Sequence, residues 1–435
     1  MKEWYIVQGS TSAGEFVFEQ RSVEPGPSVL YEEHAKRTSK SRMAAFAGYL
    51  MPLWYSSIAE EHRAVRERAG LFDCTHMGVL EVSGTDAAGF LNVVATNDID
   101  RLKVGRAQYS YILDAAGNVL DDIIVYRRAD DQFMVVVNAA NEPKIRFYFQ
   151  GLLEGQVVVD ADDPGRKLEY RPDIWDMRAR NRAGDRRVDL ALQGPASIDA
   201  LARIAEDDSF AQRLTDMKGF ALMEARLADI DCLITRTGYT GSKVGFELFV
   251  DPERAANLWN AILDAGKPLG VLPCGLGARD SLRIEAGLPL YGHELNGKFG
   301  ISPLEAGYGW AVKLDKAFFI GKDAMQRVAE TYEMAVARLE LPGERGVRPV
   351  RSDDAMLDEQ GHCVGWVLSA TKVDEKQVAL AYADRAAAGE GTSVGAYYLA
   401  RSAGQAEGGR LAEVQKGHKL DGDLVGTVVS RFARF

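Results

Sequence analysis

The sequence predicts a mixed α+β protein that ends in a small all-β domain. Three observations point there. Up to about Val328, strand-like apolar runs alternate with short amphipathic helices that carry their own capping residues. Beyond about Ala335 the helical periodicity stops, and short strands alternate with Gly, Pro and charged turns. Neither GxGxxG nor GxxxxGK[ST] occurs, so ordinary dinucleotide and nucleoside triphosphate folds are not supported.

A chain of 435 residues can hold two or three domains with proper cores. Its 52 basic and 63 acidic residues leave a net charge of −11, which argues against a general nucleic-acid binder and against a membrane role. Cys74, Cys232, Cys274 and Cys363 are far apart and form no CxxC pair, so reduced thiols are expected. The six histidines show no HExxH or paired spacing, and no metal centre is expected. No apolar run is long enough to span a bilayer, and the first 20 residues lack an apolar signal core, so a cytoplasmic protein is expected.

Taken in order, residues 1–28 are polar and punctuated by Gly, Ser and Pro, reading as a strand pair or an arm. Ser57 and Glu60 form a capping-box pattern that opens a helix which Gly70 can stop. His62 falls on the apolar face of that helix with Ile58 and Val65, as a packing residue. Residues 78–84 alternate as a strand, and Thr85 is placed to cap the next short helix. Residues 163–189 carry eight basic and six acidic side chains and read as a solvated insertion or a partner-docking surface. A strand over VDLALQGP and a helix from Ser197 follow. The closing β-domain is expected to use AVARLELPG, CVGWVLSA, VALAYA, SVGAYYLA and VGTVVSRF.

The chemistry concentrates in three stretches. In Gly117–Asn138, a strand from Val119 to Arg127 and another from Phe133 to Asn138 flank a polar turn. Asp121 and Asp122 interrupt the first strand's apolar run, and consecutive strand positions face opposite ways, so the two cannot share one role. One can serve the strand entrance while the other looks into a polar interior, where an unpartnered carboxylate is costly. In RTGYTGSKVGFELFV, glycines make a tight loop that presents Tyr239, and Glu247 lies on the following strand. A carboxylate there suits a flat heterocycle with adjacent N–H donors, or else a plain surface hairpin. In VLPCGLGARDSLRIEAGLPLY, Arg279 near a helix start is a candidate carboxylate receptor, and Arg283 a salt-bridge partner for Asp280. Trp310 has core packing as its default role.

Together EEHRAVRERAGLFDCTHMG, GNVLDDIIV, VVNAAN, LALQGP, RTGYTGSKVGFELFV, GLGARDSLRIEAGLPLYGHEL and FFIGKDA resemble the aminomethyltransferase (T-protein) family of the glycine cleavage system. The resemblance is dense over residues 45–325. It implies a three-domain ring around a central folate cavity: an N-terminal extension (1–28), two interleaved α+β folate-binding domains (29–335) and a C-terminal β-barrel (336–435). It implies Asp122 as the catalytic carboxylate near the reacting nitrogens of tetrahydrofolate, the acceptor co-substrate. Ile124, Asn138, Tyr239, Glu247 and Arg279 correspond to folate-binding positions, with Tyr109 and Trp310 as pocket aromatics. The implied donor is lipoylated H-protein, which Arg178, Arg180, Arg182, Arg186 and Arg187 could meet as a basic surface; a monomer or homodimer is expected. Two alternatives use the same scaffold: a tetrahydrofolate-dependent demethylase of a small methyl donor, and a non-enzymatic folate-binding protein.

Overall fold

The computed structural model describes residues 5–10, 14–20, 24–179 and 185–435. Contacts divide the chain into two compact units: residues 1–238, 242–279 and 310–327 make one, and residues 239–241, 280–309 and 328–435 make the other.

The first unit is built on two sheets. One has five antiparallel strands in the spatial order Asp173–Asp176, Gly78–Ser83, Gln132–Val137, Val119–Ala129, Arg106–Leu113. Helices Ala87–Val94 and Glu142–Glu154 contribute to the core on one of its faces, where Leu80, Phe90, Ile123, Val125 and Phe149 are buried together. The other sheet has six strands: Leu222–Leu227, Ile230–Thr235, Gly245–Val250, Val188–Gln193, Ala69–Asp73 and Val271–Cys274, antiparallel except for the last pair. Its outer face packs on helices that include Ala255–Gly266, through Leu190, Leu248, Trp259 and Ile262. The remaining faces meet in a third cluster, with Tyr126 and Met134 from the first sheet against Leu233 and Phe249 from the second. The strand Val119–Ala129 is therefore apolar at consecutive positions for a physical reason. Ile123 and Val125 serve the helix-covered core, and Ile124 and Tyr126 serve the inter-sheet cluster.

Several local expectations hold and others need correction. Ser57 caps the helix Ile58–Glu67 by accepting from the Glu60 backbone N–H, and His62 is buried on it. Gly70 does not stop that helix. It lies inside the strand Ala69–Asp73, where a Cβ would come within 2.5 Å of Val65 and Cys274 side-chain atoms. Thr85 is not the cap of the next helix either; the cap residue is Asp86, with no side-chain capping bond. The charged passage is not wholly an insertion, since Asp173–Asp176 forms the edge strand beside Gly78–Ser83. The N-terminal stretch does form a strand pair, Tyr5–Ser10 with Phe16–Gln20. Phe16 seats edge-on against Tyr148 at 4.9 Å.

The second unit contains a closed six-stranded barrel, in the order Met334–Pro342, Lys376–Asp384, Cys363–Val373, Ala355–Leu357, Ser393–Tyr397, Leu424–Val429. Five of these strands overlap the alternating stretches of the sequence. Ala355–Leu357 is too short to show alternation. Beside the barrel, Arg283 is 1% exposed and bonds Glu294 at 2.6 Å and Asp280 at 2.8 Å. That is the structural role expected of it.

Candidate active site

The two neighbouring aspartates separate as the strand's alternation requires. Asp121 is fully buried and accepts from the Asn138 backbone N–H at 2.9 Å, Asn138 Nδ2 at 2.8 Å and Asn141 Nδ2 at 2.6 Å. Asp122 is half-buried on the opposite face. Its Oδ2 accepts from the Tyr109 hydroxyl at 2.8 Å, and its Oδ1 accepts from Asn138 Nδ2 at 2.7 Å. Asn138 thus spans both carboxyl groups and fixes their spacing. Tyr109 reaches Asp122 because its strand is the next one over, with Tyr109 opposite Ile124 in register.

Burial pushes both carboxyl groups above the ordinary carboxylate range, and the charge of Asp122 raises Asp121 further. Every partner of Asp121 is an N–H. The Tyr109 hydroxyl can reverse and accept, so Asp122 Oδ2 can carry a proton without losing its partner. Tyr109 also packs against Trp310, with ring centroids 5.9 Å apart and planes tilted by 35°. Trp310 is 51% exposed, so core packing is not its role. Ile124, two residues along from Asp122, shares its face and packs at the edge of the inter-sheet cluster.

Glu247 sits on the second sheet, opposite Ala191 and Thr235 in register. Its Oε2 accepts from the Thr237 hydroxyl and from the Tyr126 hydroxyl at 3.2 Å, while Oε1 accepts no hydrogen bond among the described residues. Tyr126 is four residues beyond Asp122 on the same strand and face. One strand therefore connects the Asp122 cluster with the Glu247 cluster. Arg279, on the helix Leu276–Ala286, donates from Nη1 to Cys74 Sγ at 3.3 Å. Burial pushes the Cys74 thiol well up despite that guanidinium, so Cys74 stays neutral and unreactive. Beside Cys74, burial would raise Asp73, but its bond from His34 Nε2 at 2.7 Å brings it net below its usual value. His76 is buried and held neutral, its pKa down to about 4.

Tyr239 belongs to the second unit, where its hydroxyl donates to the Pro289 carbonyl at 2.6 Å. The suggested arginine surface is also not free cationic surface where it is described. Arg178 is ion-paired with Asp176 and Glu142, Arg186 with Asp251 and Glu253, and Arg187 with Asp185. Arg180 and Arg182 lie outside the described residues. Sequence reasoning missed Tyr126, Thr237 and Asn141. Tyr126 carried a usable signal, because it lies at an even offset from Asp122 along one strand; Thr237 became a partner only through strand pairing.

Known proteins resemble this chain over most of its length. Residues 30–316 match the family model described as the GCVT N-terminal domain. The aminomethyltransferase of Desulfitobacterium hafniense (strain Y51) is 39% identical over 340 residues, covering 78% of this chain and 84% of that protein. The aminomethyltransferase of Symbiobacterium thermophilum is 40% identical over 380 residues, covering 84% and 91%. The crystal structure of glycine cleavage system aminomethyltransferase T from Bartonella henselae superposes with a TM-score of 0.70 at 29% identity, covering 94% of this chain and 98% of that one. The chain belongs to the aminomethyltransferase family, the folate-dependent T-protein transferases of the glycine cleavage system.

Proposed function

We propose that this enzyme takes an aminomethyl group from the lipoyl arm of an H-protein and delivers the carbon to tetrahydrofolate, breaking the carbon–sulfur bond and forming 5,10-methylenetetrahydrofolate, ammonia and the free thiol of the lipoyl arm. The observation that carries the reading is Asp122, half-buried, held between Tyr109 and Asn138, with a titration raised by burial.

The available groups suit a reduced folate. Glu247 offers an unused acceptor oxygen to adjacent N–H groups of a pterin. The tilted Tyr109–Trp310 pair offers aromatic faces for stacking, with Trp310 half in solvent. Arg279 offers a guanidinium for a glutamate-tail carboxylate. Bound tetrahydrofolate would supply the nucleophilic nitrogen that takes up the one-carbon unit. Asp122 holds a proton at Oδ2 and gives it to the departing amine. The carboxylate left behind faces the electron-poor carbon and stabilises positive charge as it develops. Tyr109 follows this change by reversing its hydroxyl between acceptor and donor. Asn138 keeps Asp122 in one rotamer, so its alignment is set before substrate arrives.

The test is a product assay with the purified chain and tetrahydrofolate. Aminomethyl-loaded H-protein should give 5,10-methylenetetrahydrofolate and stoichiometric ammonia. A panel of methyl ethers, thioethers and methylamines should give no 5-methyltetrahydrofolate. Turnover with the methyl donors alone would replace this reading with a demethylase.

A further inference from the structure

Among the buried acids of the first unit, Asp189 is treated differently from its neighbours. It is 2% exposed, on the strand Val188–Gln193, and its Oδ1 has no hydrogen-bond partner among the described residues. Asp121 and Asp73, as deeply buried, have side-chain partners, whereas the one hydrogen bond given for Asp189 comes from the Leu248 backbone. A buried carboxyl oxygen without a partner costs stability, so the fold keeps it against a penalty. Its direction follows from register. Ala191 lies opposite Glu247, and Asp189 lies opposite Phe249, so all four side chains leave the same face of the sheet. Phe249 on that face packs into the cluster between the two sheets. Asp189 and Glu247 are thus diagonal neighbours on one face, and the two carboxyl groups interact electrostatically.

Resting on the folate reading above, we propose that Asp189 is a second reader of the pterin ring, donating a hydrogen bond to the carbonyl at C4 while Glu247 accepts from the adjacent ring N–H and amino group. The two carboxyl groups then match an amide-like edge, acceptor against donor and donor against acceptor. The charged and titratable groups around Asp189 support that division. Glu247 comes from the neighbouring strand, Asp73 from the strand on the other side and Cys74 from just beyond its end, Arg279 from its helix, and Tyr126 from the opposing sheet. Burial and the charge of Glu247 favour the protonated form of Asp189, against the pull of Arg279. Asp189 therefore has an O–H to donate, and Glu247 has lone pairs to receive. A ring carrying an amino group at position 4 would set donor against donor at Asp189, and its N3, which carries no proton, would face Glu247 with a lone pair.

The experiment titrates the full chain with two reduced folates that differ only at ring position 4, oxo against amino, followed by tryptophan fluorescence. Wild type should prefer the 4-oxo compound. Asp189→Ala should weaken 4-oxo binding by roughly three- to tenfold, the range of one neutral hydrogen bond, and leave 4-amino binding within about twofold. Asp189→Asn, which keeps an N–H donor, should retain the wild-type preference. Thermal unfolding of each variant separates binding from folding: a buried acid with a purely structural cost would show only a raised Tm. Equal affinities and unchanged preference in Asp189→Ala would overturn the assignment. Wild type that binds neither compound would overturn the folate reading itself.

Discussion

Replacing Asp122 with asparagine removes a titrating charge and almost no volume. The local network can survive the change. The amide oxygen can accept from Asn138 Nδ2, and the amide NH2 can donate to a reversed Tyr109 hydroxyl. The fold should therefore persist, and the shared interaction with Asp121 should ease. Both carboxyl oxygens lie within 2.8 Å of Asn138 Nδ2, so they are at most about 5.5 Å apart. Two charges at about 5 Å and an effective dielectric of about 20 repel by about 3 kcal/mol. A carboxyl group whose pKa is raised in the folded state weakens the fold as pH rises through that raised value. Asp122→Asn should therefore match or exceed wild-type Tm, with the gap widening at alkaline pH. Catalysis should suffer. Loss of a general acid is worth roughly 10²–10⁴ in rate. The expected result is a kcat lower by roughly 10³, with folate affinity changed less than about threefold. Wild-type turnover should fall as pH rises through the Asp122 titration, and the variant should lose that limb. Single-turnover ammonia release, run beside folate titration, measures both. A variant with kcat within about threefold of wild type and intact folate binding would refute the role.

Other outcomes follow from the same geometry. Glu247→Gln keeps a hydrogen-bonding oxygen for Thr237 and Tyr126 but loses the charge that complements two N–H groups; folate affinity should fall by roughly tenfold with kcat little changed, read from full saturation curves. Arg283→Ala leaves Glu294 buried without its cation and should cost about 3–5 kcal/mol, measured by denaturant unfolding. His76 titrates near 6.5 when unfolded and at about 4 in the folded protein, so only the unfolded chain takes up its proton between those values. Wild type should lose about 3 kcal/mol relative to His76→Gln as pH falls from 6.5 to 4, and parallel stability curves for the two proteins would count against that.

The amino-acid sequence by itself determined the elements and much of the family. A continuous apolar run bounded by turn residues marked the strand Val119–Ala129, and short strands between Gly, Pro and charged turns marked five barrel strands, because those signals are local and each strand carries its own. The Ser57 cap was legible for the same reason, since its bond spans three residues. Adjacency of Asp121 and Asp122 already required opposite roles; which of the two was fully enclosed depended on Asn138 and Asn141, at sequence separations of 17 and 20. Gly70 misled because a glycine after a helix suggests a stop, whereas close approach of Val65 and Cys274 demanded it within a strand. The partnership of Tyr126 with Glu247 crosses 121 residues, and the pairing of Asp189 with Phe249 sets its direction only once strand register exists. Local propensity is written in neighbouring residues. Which carboxyl groups share a face, which are bonded and which keep an oxygen for a ligand are consequences of long-range pairing, and only the tertiary structure decided them.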